Sequence, residues 1–176
     1  PRQSRWWNGM VLPGMKRAES IPGSMRQPTL HRYRDSEVLL RALVERIAGG
    51  LRAAIEARGQ ATLIVSGGRT PLPLFARLRE LRLPWSKVVV SLADERWVPP
   101  DDADSNEGLV QRYLRTGLAA EAQFVGLYRA GVAPEVGAGL ASEALAAVPR
   151  PFDLVLLGMG DDGHMASLFP GASELD

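Results

Sequence analysis

The sequence contains no cysteine. That excludes a disulfide framework, a thiolate zinc site, an iron–sulfur cluster and a cysteine nucleophile. Histidine is nearly absent too. His31 and His164 are the only two, too few for a multi-histidine metal centre, and no metal or other cofactor is expected. No uninterrupted apolar run approaches the roughly 20 residues that cross a bilayer, so a soluble, cytoplasmic protein with no membrane partner is expected. Of the 21 basic residues only Lys16 and Lys87 are lysine, which reads as codon bias more than chemistry. What is present is globular: 176 residues, 45% hydrophobic and 23% charged, enough to bury a sizeable core. With 18 glycines and 13 prolines, the chain has more turn-formers than average, which suggests glycine-rich working loops.

Charge is unevenly spread. Residues 1–34 hold seven Arg/Lys and one Glu, a net of +6, whereas residues 35–176 hold 14 Arg/Lys and 19 Asp/Glu, a net of −5. An acidic body argues against a nucleic-acid partner, which needs clustered positive charge on the folded domain. The basic N-terminal segment has Trp6, Trp7, Pro13, Pro22 and Pro28 but no apolar periodicity. It lacks the apolar core of a secretory signal. Residues 1–29 are therefore expected to be a disordered, vector-derived or upstream-translated tail, with the natural start near Met25. Residues 30–176 are expected to form a single domain.

Hydrophobic periodicity predicts a helix over 36–58, with Leu40, Leu43, Val44, Ile47, Leu51, Ala54 and Ile55 on one face. Asp35 or Ser36 suits its start and Gly59 its end, while Gly49 and Gly50 weaken its middle. The run at 61–65 is continuously apolar, the mark of a strand buried on both faces. A helix with Thr70 as cap and Pro71 as first residue is expected to follow, reaching about Leu81. The cycle repeats, with strands predicted at 87–92, 124–127 and 152–157 and helices near 105–116 and 134–148. Four β–α units imply an α/β fold, an open and mostly parallel sheet with helices on both faces.

In such folds ligands bind beyond the carboxyl ends of the strands. Three loops there carry dense functional groups. Ser66-Gly67-Gly68-Arg69-Thr70 leads from a strand into a helix, where free N–H groups and the helix dipole favour an anion such as phosphate; it equally suits a tight turn with a threonine cap. Asp94-Glu95-Arg96 places three charges at the end of a buried strand, costly unless paired or used. Arg96 offers a planar fork for phosphate or carboxylate, and an internal ion pair is the structural alternative. Asp101, Asp102 and Asp104 read as a solvated turn, with Ser105 and Asn106 starting a helix. In Gly158-Met159-Gly160-Asp161-Asp162-Gly163-His164, the glycines let the backbone turn off a strand. His164 is the chain's candidate for proton transfer, with Asp161 or Asp162 to orient its ring; a loop histidine capping a helix is the plainer alternative. Ser167 is a poor nucleophile candidate, because no G-x-S-x-G elbow surrounds it. An anion cradle, an arginine and one histidine base suit hydrolysis or proton abstraction on a phosphorylated small molecule.

Taken in order, Ser66-Gly67-Gly68-Arg69-Thr70-Pro71, Asp94-Glu95-Arg96-Trp97-Val98-Pro99 with Asp104-Ser105-Asn106, and Gly158 through the Ala166-Ser167-Leu168-Phe169-Pro170-Gly171 run resemble the 6-phosphogluconolactonase family. Its wider superfamily includes glucosamine-6-phosphate deaminase and ribose-5-phosphate isomerase. The resemblance implies hydrolysis of 6-phospho-D-glucono-1,5-lactone without metal or nucleotide. It implies His164 as general base on water and Asp162 as the residue that positions the histidine. Ser66, Gly67, Gly68, Arg69, Thr70, Asp94, Glu95, Arg96, Gly160 and Gly163 would surround the substrate, with Arg96 on either the phosphate or the oxyanion. Arg69 and Met165 depart from the family's usual small residue and threonine. Family members also continue past the Pro-Gly motif, so the domain is expected to be incomplete at its C-terminus. The alternatives are a deaminase or isomerase acting on an amino-sugar phosphate, and a non-catalytic sugar-phosphate-binding fragment.

Overall fold

The computed structural model describes residues 29–171. The expectations for residues 1–28 therefore lie outside the described residues, as do those for residues 172–176.

The first helix, α1 (Ser36–Arg58), begins and ends as its sequence dictates. The Asp35 carboxylate accepts from Val38 N at 2.8 Å, and Gly59, at φ 80°, closes the helix in the left-handed region while its N–H reaches Ile55 O. Both caps satisfy backbone groups that a helix end leaves without partners. Gly50 does not break the helix. A Cβ there would lie 3.1 Å from Leu154 Cδ1, so the missing side chain lets α1 lie close to the sheet.

The sheet contains β1 (Ala61–Val65), β2 (Val88–Leu92), β3 (Gln123–Val125) and β4 (Leu154–Leu156), all parallel, in the order β3-β2-β1-β4. The remaining helices are α2 (Leu72–Leu78), α3 (Asn106–Tyr113) and α4 (Pro134–Ala146), with short 3-10 turns at Trp85–Lys87 and Gly117–Glu121. This is the open parallel α/β architecture that the repeated β–α units imply.

Strands β1 and β2 are buried at every position. Alternate residues Leu63, Val65, Val88 and Val90 enter one core with Leu51, Leu74, Phe75, Trp85 and Val110. Burying a side chain as fully as Phe75 or Leu51 contributes about 1.5–3 kcal/mol. On the opposite face Thr62, Ile64, Val89 and Ser91 are buried as well, which explains why these strands read as continuous apolar runs.

Several bounds differ from the periodicity: α3 ends at Tyr113 rather than near 116, β3 spans Gln123–Val125 rather than 124–127, and α2 and β4 differ most. Helix α2 starts at Leu72, not at Pro71, and Thr70 does not cap it. It stops at Leu78, well short of Leu81. Strand β4 is three residues long rather than six, because the Asp153 carboxylate turns back on β1. It accepts from Thr62 N at 2.8 Å and from Thr62 Oγ1 at 3.0 Å, and it pairs with Arg58. Among the described residues β4 is an edge strand; its Val155 is 53% exposed, and Leu157, just beyond it, 46%.

The strand order positions the site. From β1 the chain moves to β2 on one side, while β4 returns to β1 on the other. The loops after β1 and β4 therefore diverge and leave a crevice at their carboxyl ends, the usual ligand position in this architecture.

Candidate functional site

That crevice is a cavity of about 810 Å³. Its walls come from the loops after β1, β2 and β4 and from the facing sides of α1 and α2. Of the residues singled out in the sequence, Ser66, Gly67, Gly68, Thr70, Asp94, Arg96, Gly160 and His164 line it. Arg69, Glu95, Asp162 and Gly163 do not, each for a different reason.

The turn after β1 is built for close approach. Gly68 holds φ 86°, a left-handed conformation that glycine adopts without strain. At Gly67 a Cβ would fall 1.7 Å from Asn106 Oδ1, so only glycine fits between the turn and α3. Ser66 Oγ is buried and has no hydrogen-bond partner among the described residues, which leaves a hydroxyl available to a ligand. The expected contribution from a helix N-terminus is weak. Pro73 has no N–H, the Leu72 N–H is spent on Arg69 O at 3.2 Å, and α2 is only seven residues long. The polar groups this turn presents to the cavity are the Gly67–Thr70 backbone and the Ser66 hydroxyl. Arg69 is exposed and lies outside the cavity lining.

The three charges after β2 separate. Glu95 is 3% exposed and faces α3, not the cavity. Its Oε1 accepts from Arg96 N at 2.7 Å and Asn106 N at 2.8 Å, and its Oε2 accepts from Glu107 N at 2.8 Å and Ser105 Oγ at 3.3 Å. Ser105 Oγ in turn accepts from Gly108 N at 3.0 Å. Glu95 and Ser105 thus cover the first three N–H groups of α3, and the carboxylate sits at the positive end of the helix. No arginine pairs with Glu95 among the described residues, so the internal ion pair, the structural alternative for this triplet, is replaced by a helix cap. Arg96 donates through Nη1 to Asp104 O at 3.0 Å and lines the cavity. Asp94 also lines it. Its carboxylate accepts from Ser167 Oγ at 3.0 Å and from Asn106 Nδ2 at 3.4 Å, while that same amide donates to Asp94 O at 3.0 Å.

Beside Glu95, the half-buried Glu107 has its carboxyl raised above the usual range, first by burial and then by the Glu95 charge; Arg129 and Arg115 oppose the shift. Trp97 fixes the outer part of the loop. It donates through Nε1 to Val132 O at 3.0 Å, meets Tyr128 edge-on at 5.6 Å and lies against Gly137, where a Cβ would fall 1.8 Å from its ring.

The loop after β4 holds the histidine. His164 Nδ1 is 2.5 Å from Asp162 Oδ1, and the same oxygen accepts from His164 N at 3.2 Å. The side-chain hydrogen bond from His164, and then the backbone one, hold the Asp162 carboxyl below its usual range. The Asp162 carboxylate is thus placed to accept a proton carried on Nδ1, and in a neutral ring that tautomer leaves Nε2 with its lone pair. The ring stacks on Phe169 at 4.7 Å, and a Cβ at Gly160 would lie 2.2 Å from His164 Cε1. Asp162 stands behind the ring, outside the cavity lining, and Gly163 makes the turn at φ 87°. Asp161 is exposed and the structure gives it no bond to the ring. The spacing of Gly158, Gly160 and Gly163 also fits a dinucleotide-binding glycine pattern. That pattern requires a helix directly after it, and residues 158–171 contain none.

Two residues gain importance that their sequence context did not signal. Asn106 had read as a helix start, yet its 1%-exposed side chain joins Asp94 to the Gly67 turn. Ser167, unpromising as a nucleophile, bonds across to Asp94. Among the described residues no group of three His, Asp or Glu side chains comes close enough to hold a metal ion, and no helix is long and apolar enough to cross a membrane.

Residues 34–176 match the family described as glucosamine-6-phosphate isomerases/6-phosphogluconolactonase. A 6-phosphogluconolactonase of Pseudomonas putida is 50% identical over 168 residues, which cover 96% of this chain and 66% of the relative. One from Pseudomonas aeruginosa is 53% identical over 136 residues, covering 77% of this chain and 57% of the relative. The crystal structure of a 6-phosphogluconolactonase from Shewanella baltica OS155 superposes with a TM-score of 0.78 at 47% identity, over 81% of this chain and 61% of that one. The chain thus spans about three-fifths of the length of such relatives. A monomeric glucosamine-6-phosphate deaminase shares the fold, at a TM-score of 0.62 and 21% identity. By the match along most of its length and the likeness to these relatives, the chain belongs to the glucosamine-6-phosphate isomerase/6-phosphogluconolactonase family.

Proposed function

We propose that this site hydrolyses 6-phospho-D-glucono-1,5-lactone to 6-phosphogluconate, the step of a 6-phosphogluconolactonase in the oxidative pentose phosphate pathway. The observation that carries the reading is the His164–Asp162 pair at 2.5 Å, with the imidazole on the wall of a cavity whose other loop is the Ser66–Thr70 turn. The names of the relatives agree with it.

The chemistry follows from these groups. His164 Nε2 takes a proton from water as the water oxygen attacks the lactone carbonyl carbon. The Asp162 carboxylate stabilises the imidazolium that forms. Negative charge gathers on the carbonyl oxygen, and of the two roles open to it, oxyanion or phosphate, we assign the Arg96 guanidinium on the cavity wall to that charge. Collapse of the tetrahedral intermediate breaks the bond between the carbonyl carbon and the ring oxygen. That oxygen takes the proton back from His164, giving the open acid. The backbone of Gly67, Gly68 and Thr70, with Ser66 Oγ, holds the phosphate and so fixes the ring for attack. No step calls on a cofactor.

The test offers the protein two substrates. Loss of the lactone, followed directly by NMR and corrected for spontaneous opening, with no ammonia released from glucosamine 6-phosphate, is the expected result. Ammonia release without lactone loss would make the site a deaminase. Binding of 6-phosphogluconate with neither turnover would make it a non-catalytic sugar-phosphate binder.

A further inference from the structure

Among the described residues, few hydrogen bonds tie the loop that carries His164 to the rest of the molecule. Its other hydrogen bonds are internal: Gly160 N to His164 O at 2.9 Å, Gly163 N to Gly160 O at 2.9 Å, and the Met165–Leu168 pair at 3.2 and 2.9 Å. Its large apolar side chains, Met159, Met165, Leu168 and Phe169, are exposed among the described residues, so packing against those residues does little to fix it. Beyond Leu156, among the described residues, one hydrogen bond leaves the loop: Ser167 Oγ donates to Asp94 Oδ2 at 3.0 Å. Ala166, next to Ser167, holds φ 51°, a conformation unfavourable for a residue with a Cβ and maintained only where the surroundings impose it.

The acceptor of that bond is itself anchored. Asp94 is tied to the Asn106 amide, Asn106 N is tied to Glu95, and Asn106 abuts the Gly67 turn. A continuous chain of contacts thus runs from the turn assigned to the phosphate, through Asn106 and Asp94, to Ser167 and the histidine loop. We infer that Ser167 is a positioning residue: its hydroxyl latches the His164 loop onto Asp94 and so sets the base at the distance from the Ser66–Thr70 turn that attack requires. The latch stands on geometry alone. Only its kinetic consequence rests on the lactonase reading.

The experiment compares Ser167→Ala and Ser167→Thr with the unaltered protein by amide hydrogen exchange and by lactone turnover. Removing one hydrogen bond to a charged group, taken at the low end of its range because this pair is only partly buried, is worth about tenfold in an opening equilibrium. In Ser167→Ala the Gly160, Gly163, Met165 and Leu168 amides should exchange about tenfold faster, with β1 and β2 unchanged. Turnover should show kcat lower by about tenfold with KM little altered, since the base is displaced and the phosphate turn is not. Ser167→Thr keeps the hydroxyl and should restore both. Unchanged loop exchange in Ser167→Ala overturns the latch, as does a Ser167→Thr variant that exchanges as fast as Ser167→Ala. The two readings separate cleanly: faster loop exchange in a protein that never hydrolyses the lactone upholds the latch and removes the lactonase reading.

Discussion

Replacing Glu95 by alanine gives the most quantitative check on how the site is supported. The substitution removes the acceptor of the Asn106 and Glu107 N–H groups, both at 2.8 Å, and of the Arg96 N–H at 2.7 Å. Arg96 is exposed, so its N–H finds water, but Asn106 is 1% exposed and its N–H does not. Hydrogen bonds to a charged group contribute about 1.5–3 kcal/mol each, so the two helix bonds together are worth about 3–6 kcal/mol. Against this stands the desolvation of a carboxylate at 3% exposure, which the alanine variant no longer bears. The net expectation is a loss of about 3 kcal/mol, read as a lower urea midpoint at unchanged slope. Glu95→Gln retains one acceptor oxygen but turns an N–H toward a donor, and should lose about half as much. A loss below about 1 kcal/mol for the alanine variant, or a glutamine variant less stable than the alanine one, would refute the capping role.

Three further outcomes follow from the same geometry. Gly160→Ala places a methyl where His164 Cε1 stands, 2.2 Å away, and should lower kcat about a hundredfold through a displaced imidazole; a crystal structure or NMR of the variant checks the ring position. Asp162→Asn removes the anion beside Nδ1 and should lower kcat by a hundredfold or more. Because the native Asp162 carboxyl is depressed, its contribution to stability is present above the ordinary carboxylate range and is lost as pH falls through its lowered value, so the variant's thermal unfolding should respond less to acid. Glu107 has the opposite sign. Its raised carboxyl disfavours the folded state once ionised, so Glu107→Gln should raise the melting temperature at pH 8 and give no such gain at pH 4, as calorimetry can show.

The parts of the fold that were legible in the sequence are those where local chemistry and tertiary burial agree. Strands β1 and β2 read as apolar because both of their faces are covered, and α1 carries its own caps in Asp35 and Gly59. Strand β4 was over-read because apolarity alone cannot show that Asp153 would fold back onto Thr62 and Arg58 and end the pairing early. Thr70 resembled a cap, but a capping hydroxyl needs free N–H groups, and the following turn contains Pro71 and Pro73. In the site, three loops at one sheet edge were legible from topology alone. The division of labour within Asp94-Glu95-Arg96 was not. Neighbouring residues alternate direction past a strand end, so Glu95 turned toward α3 and the other two toward the cavity. Asn106 and Ser167 were missed as site residues because what they do depends on a partner 12 and 73 positions away in the chain.

In the proposed hydrolysis His164, held by Asp162, activates the attacking water. The most direct test is the initial rate of 6-phosphogluconolactone hydrolysis by His164→Ala, measured beside the unaltered protein and corrected for spontaneous opening, with circular dichroism to confirm that the fold is kept. A fall of about a hundredfold or more is expected. A variant that keeps its fold and the unaltered protein's rate would contradict it.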